Sequence, residues 1–235
     1  MQSDYPLTLI SGERPGVSGY YDLTPESPDG SRLVVFSFER QPAGLSPGRV
    51  AVTDRSGKGL TLLGPTITGS NQNGVMQQWI DDRHVAAMAD RSWNTRGTLV
   101  LPIDGGQPRQ LEADIRMFNP ATGKGLGFLK DPDHPNPRSV LYLMDFQTGQ
   151  SRRLFNLREA AALHPVARTM TREQLDGFHM KHSKWAPDGS RFFCVLTNEP
   201  NKVPQRVKAI MMANADGSGL HHHTEFGHHP LWGPD

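Results

Sequence analysis

Apolar and polar positions along this chain alternate in short runs, and the runs recur. Four segments join an apolar strand, a polar glycine turn and a second short strand: Val50-Ala51-Val52 up to Gly57, Leu99-Val100-Leu101 up to Gly106, Leu141-Tyr142-Leu143 up to Gly149, and Ile210-Met211-Met212 up to Gly217. In the first three a leucine stands five residues after the glycine, at Leu62, Leu111 and Leu154, and in the fourth His222 takes that slot. A histidine in a leucine slot predicts half-buried packing. A second set of tight turns, at Asp29-Gly30, Asp82-Arg83, Thr122-Gly123 and Asp188-Gly189, precedes the first set. Alternating runs bounded by such residues read as strands, because a strand sends successive side chains to opposite faces.

Each unit is therefore strand, tight turn, strand, longer loop, strand, turn, strand. Four antiparallel strands repeated in this way make a propeller blade, a sheet that cannot bury both faces alone. The marker glycines fall at the blade period of roughly 40–50 residues, except that the last interval is too long by about twenty. The excess lies at residues 156–177. There Asn156-Leu157-Arg158-Glu159 and Thr171-Arg172-Glu173-Gln174 each place a capping residue three positions before Glu or Gln, the pattern that satisfies free amides at a helix start. The expected fold is all-β: a β-propeller of about four four-stranded blades plus the first strand of a fifth, with a helical insertion at 156–177. Blades are expected at about 20–68, 69–114, 115–165 and 178–227, with 1–19 as an N-terminal strand or extension and 228–235 opening the next blade.

Composition narrows the picture. At 235 residues and 36% hydrophobic content the chain can bury a core. The 24 glycines and 19 prolines punctuate the apolar runs, as many short strands require. A formal net charge of +1 supplies no long-range field for a phosphate backbone, so nucleic acid is not an expected partner. Cys194, the single cysteine, sits in the apolar run Phe192-Phe193-Cys194-Val195-Leu196 and is expected to be a buried, inert thiol. The N-terminal residues lack a basic start and apolar stretch, and no run reaches the length of a membrane span. The expected location is cytoplasmic, or periplasmic if the natural N-terminus lies upstream, with no membrane partner.

Ser27-Pro28-Asp29-Gly30-Ser31-Arg32, Trp185-Ala186-Pro187-Asp188-Gly189-Ser190-Arg191 and Asn214-Ala215-Asp216-Gly217-Ser218 resemble the repeats of TolB-like propellers. Gln72-Asn73-Gly74 through Gln78-Trp79, then His182-Ser183-Lys184-Trp185, then His229-Pro230-Leu231-Trp232 are similar in order to the oligogalacturonate lyase branch of that group. This resemblance implies a seven-bladed ring, of which the chain would be a fragment. It also implies manganese near the axis, held by histidines and a glutamine, and an arginine base.

Aligning the two Trp-x-Pro-Asp segments puts His182 and His229 at one position, three residues before tryptophan. Equivalent residues on innermost strands of successive blades are neighbours, so these imidazoles are the first metal candidates, with His179 and His228 next. Such N/O donors suit manganese, zinc or iron. Candidates for the base are Lys184, Arg91, Arg138 and Arg168. Lys184 is two residues beyond His182 and, by alternation, on its face. The alternative for Lys184 is a solvated cation. Gln72, Gln77, Gln78 and Trp79, the last in the tryptophan slot of blade two, are the expected substrate-binding set. Alternation lets only one of Gln77 and Gln78 face a channel. The run His221-His222-His223 cannot converge on one ion unless the strand bends.

Other patterns lack parts that their chemistry requires. Gly123-Lys124-Gly125-Leu126-Gly127 has neither the upstream glycine nor the following Ser/Thr of a phosphate loop. No Gly-x-Ser-x-Gly turn is present. Asp131-Pro132-Asp133-His134-Pro135-Asn136-Pro137 reads as an exposed blade loop. Two functions are expected to compete. One is metal-dependent β-elimination on acidic oligosaccharides, in which a cation acidifies the C–H beside the sugar carboxylate and a base removes the proton. The other is a non-catalytic propeller that binds protein or glycan ligands through its loops.

Overall fold

A computed structural model describes residues 14–20, 22–89, 97–119, 122–199, 205–225 and 230–233. Its strands form four antiparallel sheets of four strands, each ordered as in the sequence. The first holds β1 (Gly16–Val17), β2 (Arg32–Phe38), β3 (Leu45–Asp54) and β4 (Thr61–Ser70). The second holds β5 (Gln78–Asp81), β6 (His84–Met88), β7 (Thr98–Pro102) and β8 (Arg109–Leu111). The third holds β9 (Asp114–Asn119), β10 (Lys124–Leu129), β11 (Val140–Asp145) and β12 (Ser151–Asn156). The fourth holds β13 (Phe178–Trp185), β14 (Arg191–Asn198), β15 (Lys208–Asn214) and β16 (His221–Glu225). These are propeller blades. Blade one takes its first strand from within residues 1–19, expected as an N-terminal strand or extension, and that strand is two residues long.

The chain divides into two compact units between Glu112 and Ala113, each made of two blades. In the first unit Val34, Phe36, Phe38 and Val50 of blade one share a core with Trp79, Val85, Leu99 and Leu101 of blade two. Close backbone approach is built in there, since a methyl group on Gly48 or Gly69 would overlap the Phe36 ring. In the second unit Leu126, Phe128 and Leu141 of blade three meet Phe178, Met180, Phe192, Cys194 and Met211 of blade four. Central strands such as β14, Arg191–Asn198, are buried on both faces, which accounts for runs of consecutive apolar residues in them.

The insertion is helical where the capping pattern places it. Helix α1 (Leu157–Ala162) and helix α2 (Arg172–Leu175) each start on a complete capping box, Asn156 with Glu159 and Thr171 with Gln174. A 3-10 turn (Ala167–Thr169) separates them. Leu157, Ala160, Ala161 and Ala167 bury against the core of the second unit, so this segment packs as part of it.

The hairpins share one device. The carboxylates of Asp29, Asp54, Asp81, Asp104, Asp145, Asp188 and Asp216 each accept the backbone N–H two residues on. This turn mimic fixes a chain reversal with local atoms alone, which explains its repetition through the sequence. At Thr122-Gly123 the Asn119 carbonyl accepts from both N–H groups instead.

Candidate functional site

The residues before the blade tryptophans share an unusual backbone. Met76 and His182, each three positions before its tryptophan, have φ of 58° and 50°, the left-handed region that side chains rarely adopt. At His182 the register of β13 slips, with Lys181 opposite Val195 and Lys184 opposite Phe193, so one extra residue is inserted. A bulge of this kind re-aims a side chain and breaks alternation. The expected pairing of Lys184 with His182 by parity therefore does not hold. Across the bulge it is Lys181 that shares the side of Lys184.

Lys184 is also not a solvated cation, since it is 2% exposed and among the most deeply buried large side chains. Its equivalent in blade two, Gln78, is buried too, and its side-chain N–H donates to the Met76 carbonyl at 3.1 Å. Gln77 is fully buried: its amide oxygen accepts the Val75 N–H and its amide nitrogen donates to the Val17 carbonyl. It ties the short β1 to blade two. The Trp79 indole N–H donates to the Pro25 carbonyl at 2.8 Å. Gln77 and Trp79 thus have backbone partners and almost no exposed surface. Gln72 lies in an exposed turn, where its backbone N–H donates to the Ser70 hydroxyl.

His179 and His182 are both half-buried on β13. Among the described residues neither belongs to a group of three His, Cys, Asp or Glu donors close enough for one ion. His228, His229 and Arg91 lie outside the described residues. Arg168 is exposed on the 3-10 turn.

A cationic group surrounds Lys181. Burial, then Lys208, Arg138 and Arg206, hold its ammonium below the ordinary lysine range. Lys208 is lowered in the same way by burial and Arg206. The register places the two lysines on one side of the sheet, because Val195 opposes Lys181 and Thr197, two residues on, opposes both His179 and Lys208. Arg138 arrives from the loop between β10 and β11, and its carbonyl accepts the Met180 N–H at 3.1 Å. Like charges gathered in partial burial cost free energy, so an anion seated among them would be stabilised.

Sequence reasoning missed a second cluster. His164, after α1, is 1% exposed, and its Nε2 lies 2.6 Å from Glu225 Oε1 on β16. His222 Nε2 stands 3.5 Å from the same oxygen, and the two imidazole rings meet edge to face at 4.6 Å. The signal was the histidine in the leucine slot, and His222 is half-buried there as that slot predicts. What alternation hides is another bulge: His222 opposes Met211 but Thr224 opposes Ile210, leaving His223 as the extra residue. The bend the tract lacked by alternation is thus present, and it turns His222 and Glu225 to one side.

The three donor atoms lie within 4.8 Å of one another, close enough for an ion. Proton accounting argues against one. His164 Nδ1 accepts the N–H groups of Val166 and Ala167 at 3.2 and 3.1 Å, so the proton of the neutral ring sits on Nε2 and points at Glu225. A metal on Nε2 would drive that proton to Nδ1, against two backbone donors. The arrangement is a structural cap joined to an edge strand.

In the first unit, a groove of about 510 Å³ lies between the outer parts of blades one and two, lined by Arg49, Leu62, Pro65, Pro102 and Pro108 among others. No helix among the described residues is long and apolar enough to cross a membrane.

No family model matches the chain, and no curated protein matches it. Solved structures do. A puromycin-hydrolysing peptidase of Mycobacterium tuberculosis is 12% identical with a TM-score of 0.55, over 92% of this chain and 30% of its own. A putative TolB from Agrobacterium tumefaciens is 16% identical with a TM-score of 0.45, over 91% of this chain and 63% of its own. An oligogalacturonate lyase in complex with manganese is 10% identical with a TM-score of 0.47, over 90% of this chain and 66% of its own. The chain spans less than two thirds of these structures. At such identity the likeness is one of fold, and with the four sheets it establishes the β-propeller architecture that the TolB-like repeats imply.

Proposed function

We propose that these blades belong to an oligogalacturonate lyase-like propeller that takes an acidic oligosaccharide among Lys181, Lys208, Arg138 and Arg206. The observation that carries this reading is the gathering of Lys208, Arg138 and Arg206 about the half-buried Lys181. The group stands where β13 begins and where the β10–β11 and β14–β15 loops and the helical insertion gather, the kind of loop cluster on which binding sites are built. Uronate carboxylates would be drawn to this cluster and share their charge with it. That sharing of charge acidifies the C–H beside the carboxylate. Lys181, its ammonium lowered by burial and neighbouring cations, is the group suited to remove the proton. The bond from the β-carbon to the glycosidic oxygen then breaks, and that oxygen takes a proton from water, leaving an unsaturated uronate.

The test is calorimetric titration of oligogalacturonate, with a neutral glucan as control, alongside the ultraviolet absorbance of unsaturated uronate. The wild type is expected to bind only the acidic chain and to generate the absorbance. Lys181→Arg should keep binding and lose the absorbance, whereas Lys181→Gln should weaken binding at least tenfold. Binding without absorbance in the wild type would leave a non-catalytic glycan-binding propeller, and no selective binding would overturn the proposal.

A further inference from the structure

The bulge in β16 sorts its three histidines. His222 turns inward to His164 and Glu225, while His221 and His223 are exposed, with ring centres 6.3 Å apart and planes at 76°. Among the described residues β16 is the terminal strand of its sheet and pairs only with β15. We propose that His221 and His223 form a bidentate surface site for a borderline divalent cation such as Zn(II), Cu(II) or Ni(II).

Proton accounting chooses this pair as it rejects the inner cluster. His221 Nδ1 lies 2.8 Å from the Gly219 carbonyl, which can only accept, so Nδ1 carries the proton and Nε2 presents its lone pair. A backbone carbonyl bonded to the far nitrogen is the usual support of a metal-bound imidazole, fixing tautomer and ring orientation together. Two nitrogens each ~2.1 Å from one zinc ion put their ring centres on the order of 5–6 Å apart, so a small turn of these rings closes the chelate. At His164 the same accounting puts the proton on the nitrogen that faces the cluster. Two protein donors leave the remaining positions of the ion to water. Imidazole and water suit zinc, copper and nickel better than magnesium or calcium.

This site is independent of the acidic-ligand proposal, since it uses no residue of the Lys181 group. It is tested by titrating Zn(II) alone into the full chain calorimetrically, and by the electron paramagnetic resonance of bound Cu(II). The expected result is one site whose affinity falls at least tenfold in His221→Gln and in His223→Gln and is unchanged in His222→Gln and Glu225→Gln. Cu(II) should show nitrogen coupling in the wild type that is reduced in either outer variant. Both outer residues are exposed, so circular dichroism is expected to show folded variants. Wild-type affinity in the outer variants would overturn the proposal, and so would loss in His222→Gln or Glu225→Gln, which would place the ion inside.

Discussion

His164 Nε2 and Glu225 Oε1 meet at 2.6 Å, joining the helical insertion to the outermost strand of blade four across 61 residues of sequence. The imidazole bonds at both ends, because its Nδ1 also accepts the Val166 and Ala167 N–H groups. His164→Ala removes a fully buried ring and leaves those donors unpaired, an expected cost of about 2–3 kcal/mol. Glu225 is largely exposed, and Glu225→Gln keeps an acceptor, so its cost is expected below about 1 kcal/mol. Urea unfolding checks both, with a lowered midpoint and an unchanged slope for His164→Ala.

The hairpin aspartates make stability depend on acid. Asp29 is held down to about 2, first by the Ser27 hydroxyl and then by the Ser31 N–H and hydroxyl. Asp54, Asp145, Asp188 and Asp216 are lowered by similar bonds. A folded value below the unfolded one contributes stability that is present above pH of about 4 and lost as pH falls toward the folded value. The carboxyl carbon of Asp29 should titrate near 2, and Ser27→Ala should move it upward, as carbon-detected magnetic resonance would show. An ordinary aspartate titration in the wild type would mean the turn bonds are absent.

Burial pushes the Cys194 thiol up to about 12. The thiolate is the reactive form, so a disulfide reagent should fail to label the native chain and label it fully in denaturant. Labelling in native buffer at the unfolded rate would contradict the packing of β14 into the second core.

Lys181 predicts a cost at neutral pH where the aspartates predict a gain, although both make stability rise with pH. Its folded value lies below the ordinary one, so the unfolded chain binds the proton more readily and stability rises with pH toward the alkaline range. At neutral pH, Lys181→Gln should raise the urea midpoint at low salt, and added salt should shrink the gain by screening Lys208, Arg138 and Arg206. A variant less stable than the wild type at low salt would show that the cations do not repel as described.

Local chemistry was legible in the sequence. Asp29-Gly30 and Gly217 mark hairpins because their turns are closed by atoms two residues apart, and Asn156 with Glu159 marks a helix start for the same reason. What failed was strict alternation. Single extra residues at His182 and His223 shift every later side chain to the other side, and no composition rule announces them. The burial of Lys184, which rules out the solvated-cation alternative, depends on what covers the strand, and its own neighbours in sequence do not record that. Gln77 illustrates the same limit, since its partner Val17 lies 60 residues away. His164 and Glu225 were illegible as a pair until the insertion was folded back onto the blade.

The most direct test of the account is a map of amide chemical-shift changes as oligogalacturonate is added to isotope-labelled protein at low salt. The account predicts changes centred on Met180, Lys181, Val207 and Lys208, with side-chain shifts at Arg138 and Arg206, all reversed by added salt. Changes confined to the groove of Leu62, Pro65 and Pro102, or no changes at all, would contradict it.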